Sequence, residues 1–250
     1  MKIKILTLFP EMILPVIHAS ILGRAVKNGL IEIDVVNIRD YADNRHKNTD
    51  DYPFGGGAGM LMLAQPIVDC TEYVDSRLRR AGCENIRHIY MSPRGETFTQ
   101  RTAEKLVCED AIVILCGHYE GVDQRALDIC GYEEMSLGDF VLTGGEYAAV
   151  CICDAVSRLV PGVLGSEDSP VDESFSSGLL EYPQYTRPRE YRGIEVPEVL
   201  VNGNHALIEQ WRRRESLRIT LERRPEMLEH IELDKKDREY LRALREDGKI

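Results

Sequence analysis

Residues Ala111–Cys116 read AIVILC, apolar at all six positions. A strand with one wet face alternates apolar and polar residues. A strand apolar on both faces must be covered on both, which points to the middle of a parallel sheet flanked by helices. The surrounding chain fits that demand. Strands are expected at Ile3–Phe9, at Ile31–Ile38, where apolar and polar residues alternate, at Arg87–Met91 and near Glu133–Leu137. Helical spacing follows Phe9 to about Asn28, closed by Gly29, and runs from about Gln65 to Arg80, closed by Gly82. Further helices are expected at Thr99–Cys108, Val122–Cys130 and Gly145–Val160, with a long loop at roughly Arg39–Ala58. This order predicts an α/β domain over residues 1–160 with a mostly parallel sheet.

Residues 161–186 break the pattern. Gly165–Tyr182 holds five acids and no base, among Ser, Pro and Gly, and reads as a linker or active-site segment. Residues 187–250 read as a small helical domain. Asn204 is placed to cap its first helix, Pro225 interrupts it, and Asp234 with Asp237 suits the start of a last helix to about Glu246.

Charge bears on partners. Lys and Arg number 31 against 42 Asp and Glu, a net of −11, which by itself disfavours nucleic acid. The charges are segregated, however. Trp211–Arg224 carries six Arg and two Glu, densest at Arg212, Arg213 and Arg214, so a local basic surface is compatible with an acidic total. The seven cysteines form no C-x-x-C pair, which argues against a disulfide framework or a structural zinc site. No apolar run approaches ~18 residues, so no membrane span is expected, and the chain is expected in the cytoplasm.

Three segments follow expected strands: SPRG (Ser92–Gly95), GHYEG (Gly117–Gly121) and LGDFVLTGGE (Leu137–Glu146). On a parallel sheet they share the carboxyl edge, where open α/β sheets bind ligands. Side chains at Gly117 or Gly144 would intrude on such a ligand or demand a positive φ. GGGAGM (Gly55–Met60) lacks the Lys-Ser/Thr of a P-loop and reads either as a flexible loop or as a ligand contact. Arg158, four residues after Asp154 on an otherwise apolar helix, reads as an i,i+4 partner or as a functional charge. Asp172 and Glu173 read alone as solvated acids of the linker.

Taken together, the motifs resemble bacterial tRNA (guanine-N1)-methyltransferases almost end to end. They run from LFPEM (Leu8–Met12) through GRAVKNGL, RHKNTDDYPFGGGAGM, CGHYEGVDQR, SLGDFVLTGGE, SRLVPGVLG, GLLEYPQYTRP and VPEVLVNGNH to RRPEML (Arg223–Leu228). The resemblance implies a SPOUT-class α/β domain with a deep trefoil knot, a homodimer, and a small all-α C-terminal domain that grips tRNA. It implies methyl transfer from S-adenosylmethionine to N1 of the guanosine at tRNA position 37, with Mg²⁺ dependence but no metal ligands legible here. Carried over by position, the donor site comprises Tyr90, Pro93, Gly117, Leu137, Gly138, Asp139, Phe140, Val141, Leu142, Gly144 and Gly145. Arg158 matches the arginine that acts on the target base. Glu173 stands at the general base, usually Asp, with Asp172 as the alternative. Asp50, Glu120 and Glu181 match functional acids, and Arg212, Arg213 and Arg214 are assigned to the tRNA. Ala58, His118 and Ala148 depart from the common Pro, Arg and Pro. A catalytically dead RNA-binding relative would need the base-handling residues to be lost, and a small-molecule methyltransferase would leave the Arg-rich appendage unexplained.

Overall fold

The computed structural model describes residues 1–165 and 173–246. The chain forms two compact units, Met1–Glu167 and Asp168–Ile250.

The first unit runs β1 (Lys2–Thr7), α1 (Pro10–Ile17), α2 (Ser20–Lys27), β2 (Glu32–Asn37), β3 (Asp50–Asp51), β4 (Leu61–Met62), α3 (Ala64–Arg80), β5 (Ile86–Thr97), α4 (Gln100–Leu106), β6 (Ala111–Cys116), α5 (Gln124–Cys130), β7 (Glu133–Ser136) and α6 (Glu146–Ser157). Five strands form one sheet in the order β2-β1-β6-β5-β7, parallel throughout. The apolar β6 lies at its centre and is wholly buried. Successive side chains of a strand point to opposite faces, and here they divide the core in two. Ile112, Ile114 and Cys116 pack with Ile13, Ile17, Ile152 and Val156. Val113 and Leu115 pack with Ile67, Val74, Leu78 and Leu127 on the other face.

Two elements depart from expectation. The helix expected up to Asn28 is two helices, because the chain turns sharply after His18. The carbonyl oxygen of His18 lies 2.2 Å from where a Cβ on Gly23 would stand, so this approach needs the glycine. The strand expected to stop at Met91 continues to Thr97, and SPRG is a bulge within it rather than a loop beyond it. Register shifts between Met91 and Glu96, both opposite Met135. The excursion is held by Arg94, which donates to both carboxylate oxygens of Glu134 at 2.9 and 3.0 Å, and by Ser92 Oγ, which donates to Glu134 at 2.5 Å.

The cysteines act as small core residues. Cys70, Cys83, Cys116 and Cys153 are buried, all seven are free thiols, and burial pushes Cys153 up to about 12.

The second unit contains β8 (Glu190–Tyr191), β9 (Ile194–Glu195), α7 (His205–Arg223), a 3₁₀ turn at Pro225–His230 and α8 (Lys235–Glu246). Asn204 caps α7 by accepting from the Leu207 N–H. The antiparallel β8–β9 hairpin was absent from the all-helical expectation. Positive φ at Arg192 and Gly193 gives its two-residue turn the twist that hairpins favour. The segment expected as a separate linker is anchored at both described ends. Val163 joins the core of the first unit, while Leu179 packs with Leu217, Leu221, Leu241 and Leu244 in the second. Among the described residues no helix is long and apolar enough to cross a membrane.

α7 and α8 are joined by an ion pair. Arg213 donates to Asp237 at 2.7 Å, and the Asp237 side chain is only 8% exposed. The Asp237 N–H in turn donates to Asp234 Oδ1 at 2.7 Å, closing the first turn of α8. Arg213→Gln strands a buried carboxylate, and the expected loss is about 1–3 kcal/mol of stability in the second unit. Chemical denaturation followed by Trp211 fluorescence measures it. An unchanged midpoint would show that the pair contributes nothing.

Candidate active site

The bulge within β5 and the segments after β6 and β7 meet in one cleft at the carboxyl edge of the sheet. The Gly145 N–H donates to the Gly117 carbonyl at 2.9 Å, which draws the third segment back onto the second. Tyr90, Pro93, Gly117, Leu137, Gly138, Phe140, Val141, Leu142, Gly144 and Gly145 all line this cleft. Asp139 is exposed and lies outside this lining. Gly138, with φ 147, and the Phe140 N–H bond to the Gly138 carbonyl turn the chain at this point.

The glycines matter for a reason other than the expected one. Neither Gly117 nor Gly144 has a positive φ. A Cβ on Gly117 would lie 2.8 Å from the Tyr90 ring, and one on Gly145 would lie 2.8 Å from Cys116 Cα. Tyr90 is 7% exposed, and burial with the nearby Glu134 charge keeps its phenol protonated. The floor is thus tightly packed backbone and ring. The far wall is apolar and open, with Phe140 54%, Val141 82% and Leu142 41% exposed. A flat heteroaromatic ring fits between such surfaces.

Asp50 and Glu120 are brought to the rim together. The Glu120 N–H donates to the Met60 carbonyl at 3.0 Å, the Met62 N–H donates to Gly121, and the Tyr119 hydroxyl lies 3.5 Å from Asp50 Oδ1. Gly59, at φ 80, lets the Glu120 side chain lie where a Cβ would be. GGGAGM is therefore a scaffold for this rim.

Arg158 is elsewhere. It caps the C-terminus of α6 and is half-buried, its N–H donating to the Asp154 carbonyl. The cleft lies at the other end of the same 12-residue helix, roughly 18 Å away at 1.5 Å per residue.

In the second unit, Glu173 opens a tight turn. The Phe175 N–H donates to Leu179, and the Glu181 N–H donates to Ser174 Oγ at 2.9 Å. Asp172 lies outside the described residues. Glu181, Tyr182, Glu209 and Arg212 line a second, polar hollow in this unit. The Arg212 guanidinium stacks 4.8 Å from the Tyr182 ring centroid and Arg214 stacks 5.4 Å from that of Tyr240. The three arginines are not equivalent, because Arg213 is paired with Asp237.

Sequence reasoning missed His118 in the lining and Glu146 behind it. Glu146 is 1% exposed and accepts from Thr7 Oγ1 at 2.7 Å. An acid opening the largely apolar helix EYAAVCICDAVS was the available signal. Among the described residues no three His, Cys, Asp or Glu side chains converge as an all-protein metal cage would require.

Comparison with known proteins agrees with this geometry. The family described as tRNA (Guanine-1)-methyltransferase TrmD matches residues 1–230. The chain is 52% identical over 246 residues to a tRNA (guanine-N(1)-)-methyltransferase of Alkaliphilus oremlandii, covering 98% of this chain and 99% of that one. It is 54% identical over 243 residues to the Clostridium perfringens SM101 protein of the same name, covering 97% and 100%. It is 53% identical over 244 residues to that of Geotalea uraniireducens, covering 98% and 97%. With matches spanning both units and every segment of the cleft, the chain belongs to the TrmD family of tRNA (guanine-N1)-methyltransferases.

Proposed function

We propose that the protein transfers a methyl group from S-adenosylmethionine to N1 of the guanosine at position 37 of tRNA, in the cytoplasm, as a homodimer. The observation that carries this is the three-segment cleft closed by the Gly145–Gly117 bond, whose glycine floor and apolar wall suit the adenosyl group. The bound donor supplies an electrophilic methyl. The rest falls to the chain. N1 of neutral guanine carries a proton, so its lone pair becomes available only as that proton leaves. Glu173 takes it. Negative charge then grows toward O6, where the Arg158 guanidinium offers the usual arginine–guanine geometry. Arg212 and Arg214 hold tRNA phosphates, with Asp50, Glu120 and Glu181 shaping the substrate site.

Two finer readings belong with this one. The segment after edge strand β7 doubles back across β5 to Gly117 and continues into α6, which packs against β1 and β6. This supports a trefoil knot here. The separation of roughly 18 Å along α6 supports a composite site, in which one protomer's Arg158 serves its partner's cleft. Leu14, Val16 and Tyr147 on the adjoining α1 and α6 are 40%, 42% and 59% exposed and suit burial against a second copy.

The direct test is methyl transfer from labelled S-adenosylmethionine to unmodified tRNA, with the product base mapped. N1-methylguanosine at position 37 is expected, and donor binding without transfer would contradict the reading. In the same assay Glu173→Gln is expected to lower single-turnover transfer by roughly 10²–10⁴-fold. Donor and tRNA affinities should hold, and normal turnover would remove Glu173 from the base role.

The composite site has its own test. Gly117→Val drives a side chain into Tyr90 and is expected to abolish donor binding, while Arg158→Ala is expected to abolish transfer. If the site is shared, mixing the two inactive variants under subunit exchange restores activity to a sizeable fraction of wild type. No recovery in verified heterodimers would place each site within a single chain.

A further inference from the structure

Two buried polar atoms face one small volume behind the cleft. Glu146 Oε2 and His118 Nδ1 have no hydrogen-bond partner among the described residues. A Cβ on Gly144 would lie 2.4 Å from the first and 2.8 Å from the second. Gly144 and His118 both line the cleft, so the carboxylate stands directly behind its floor. The other oxygen of Glu146 is held by Thr7, whose own hydroxyl oxygen accepts from the Phe9 N–H. The carboxylate is therefore pinned.

Among the described residues no Lys or Arg pairs with it. Glu134, the other acid near the floor, is neutralised by the bidentate Arg94. Glu120, on the rim, is exposed and screened by water. Glu146 meets neither condition. It opens α6, where the helix dipole favours the anion. With burial, its charge helps to raise the Cys116 thiol well above its ordinary range. A buried anion without a facing cation is costly, so a cation offered from the cleft side is stabilised.

The reaction changes charge at this place. The S–CH₃ bond breaks as the C–N1 bond forms, the sulfur keeps the electron pair and passes from cationic sulfonium to neutral thioether, and the N1 proton leaves to a carboxylate. We propose that Glu146 is a fixed negative charge behind the Gly144 floor that makes the cleft prefer the sulfonium donor over its neutral thioether product. The preference helps the spent cofactor to leave. This inference rests on the proposed use of S-adenosylmethionine.

Calorimetry on the full-length dimer tests it with three ligands: S-adenosylmethionine, S-adenosylhomocysteine, and an analogue with a protonated amine in place of the sulfonium. Glu146→Gln keeps shape and can still accept from Thr7. It is expected to weaken the two cationic ligands by about tenfold, as loss of one partly screened charge would, and to leave the thioether within about twofold. Equal weakening of all three would mean a purely structural role, and no change would mean no role; either overturns the inference. If Glu146→Gln does not fold, His118→Lys sets a cation beside Oε2 from the other side and is expected to shrink the same ratio. An unchanged ratio there overturns the inference equally. Failure of the wild type to bind any of the three would instead overturn the functional reading.

Discussion

The site depends on one close approach of backbone to backbone, the Gly145 N–H to Gly117 carbonyl bond at 2.9 Å. It joins the end of the edge-strand segment to the end of the central strand. Neither residue can carry a side chain there without striking Cys116 or the Tyr90 ring. Once this contact forms, the start of α6 is fixed above β6, the 137–144 segment must arch outward, and the space beneath that arch is the cleft. The apolar wall of Phe140, Val141 and Leu142 then lies on the open side, available to a bound ring.

The same contact explains an otherwise costly feature. Placing the N-terminus of α6 against β6 carries Glu146 to the end of β1, where Thr7 is its donor. A buried carboxylate with one satisfied oxygen is a poor stability element. It fits the proposed donor site, whose ligand arrives charged and leaves neutral. The opposite end of α6 carries Arg158, so in the proposed mechanism one helix separates donor handling from base handling within a chain, and that division is what would make a second copy chemically useful.

Features decided by neighbours in sequence were legible before the fold. The six apolar residues of β6 announced a doubly covered strand, and Asn204, Asp234 and Pro225 marked the helix boundaries of the second unit. The three strand-end segments could be placed on one edge because parallel strands align their carboxyl ends. What escaped was decided by partners far away in sequence. The β5 bulge depends on Arg94 meeting Glu134, and the pairing that sets Arg213 apart from its neighbours depends on Asp237. The turn at Gly138 depends on its φ of 147, and an irregular segment carries no period from which to foresee that. The proposed knot is the extreme case, since connection rules argue against any such topology.

Hydrogen exchange with and without S-adenosylmethionine tests the central claim most directly, because it reports each backbone amide in the intact protein. Ligand-induced protection is expected to concentrate at 90–93, 117–121 and 137–146, with the Gly145 amide among the most slowed. Protection confined to the second unit, or spread evenly over the sheet, would contradict a donor cleft built on the Gly145–Gly117 contact.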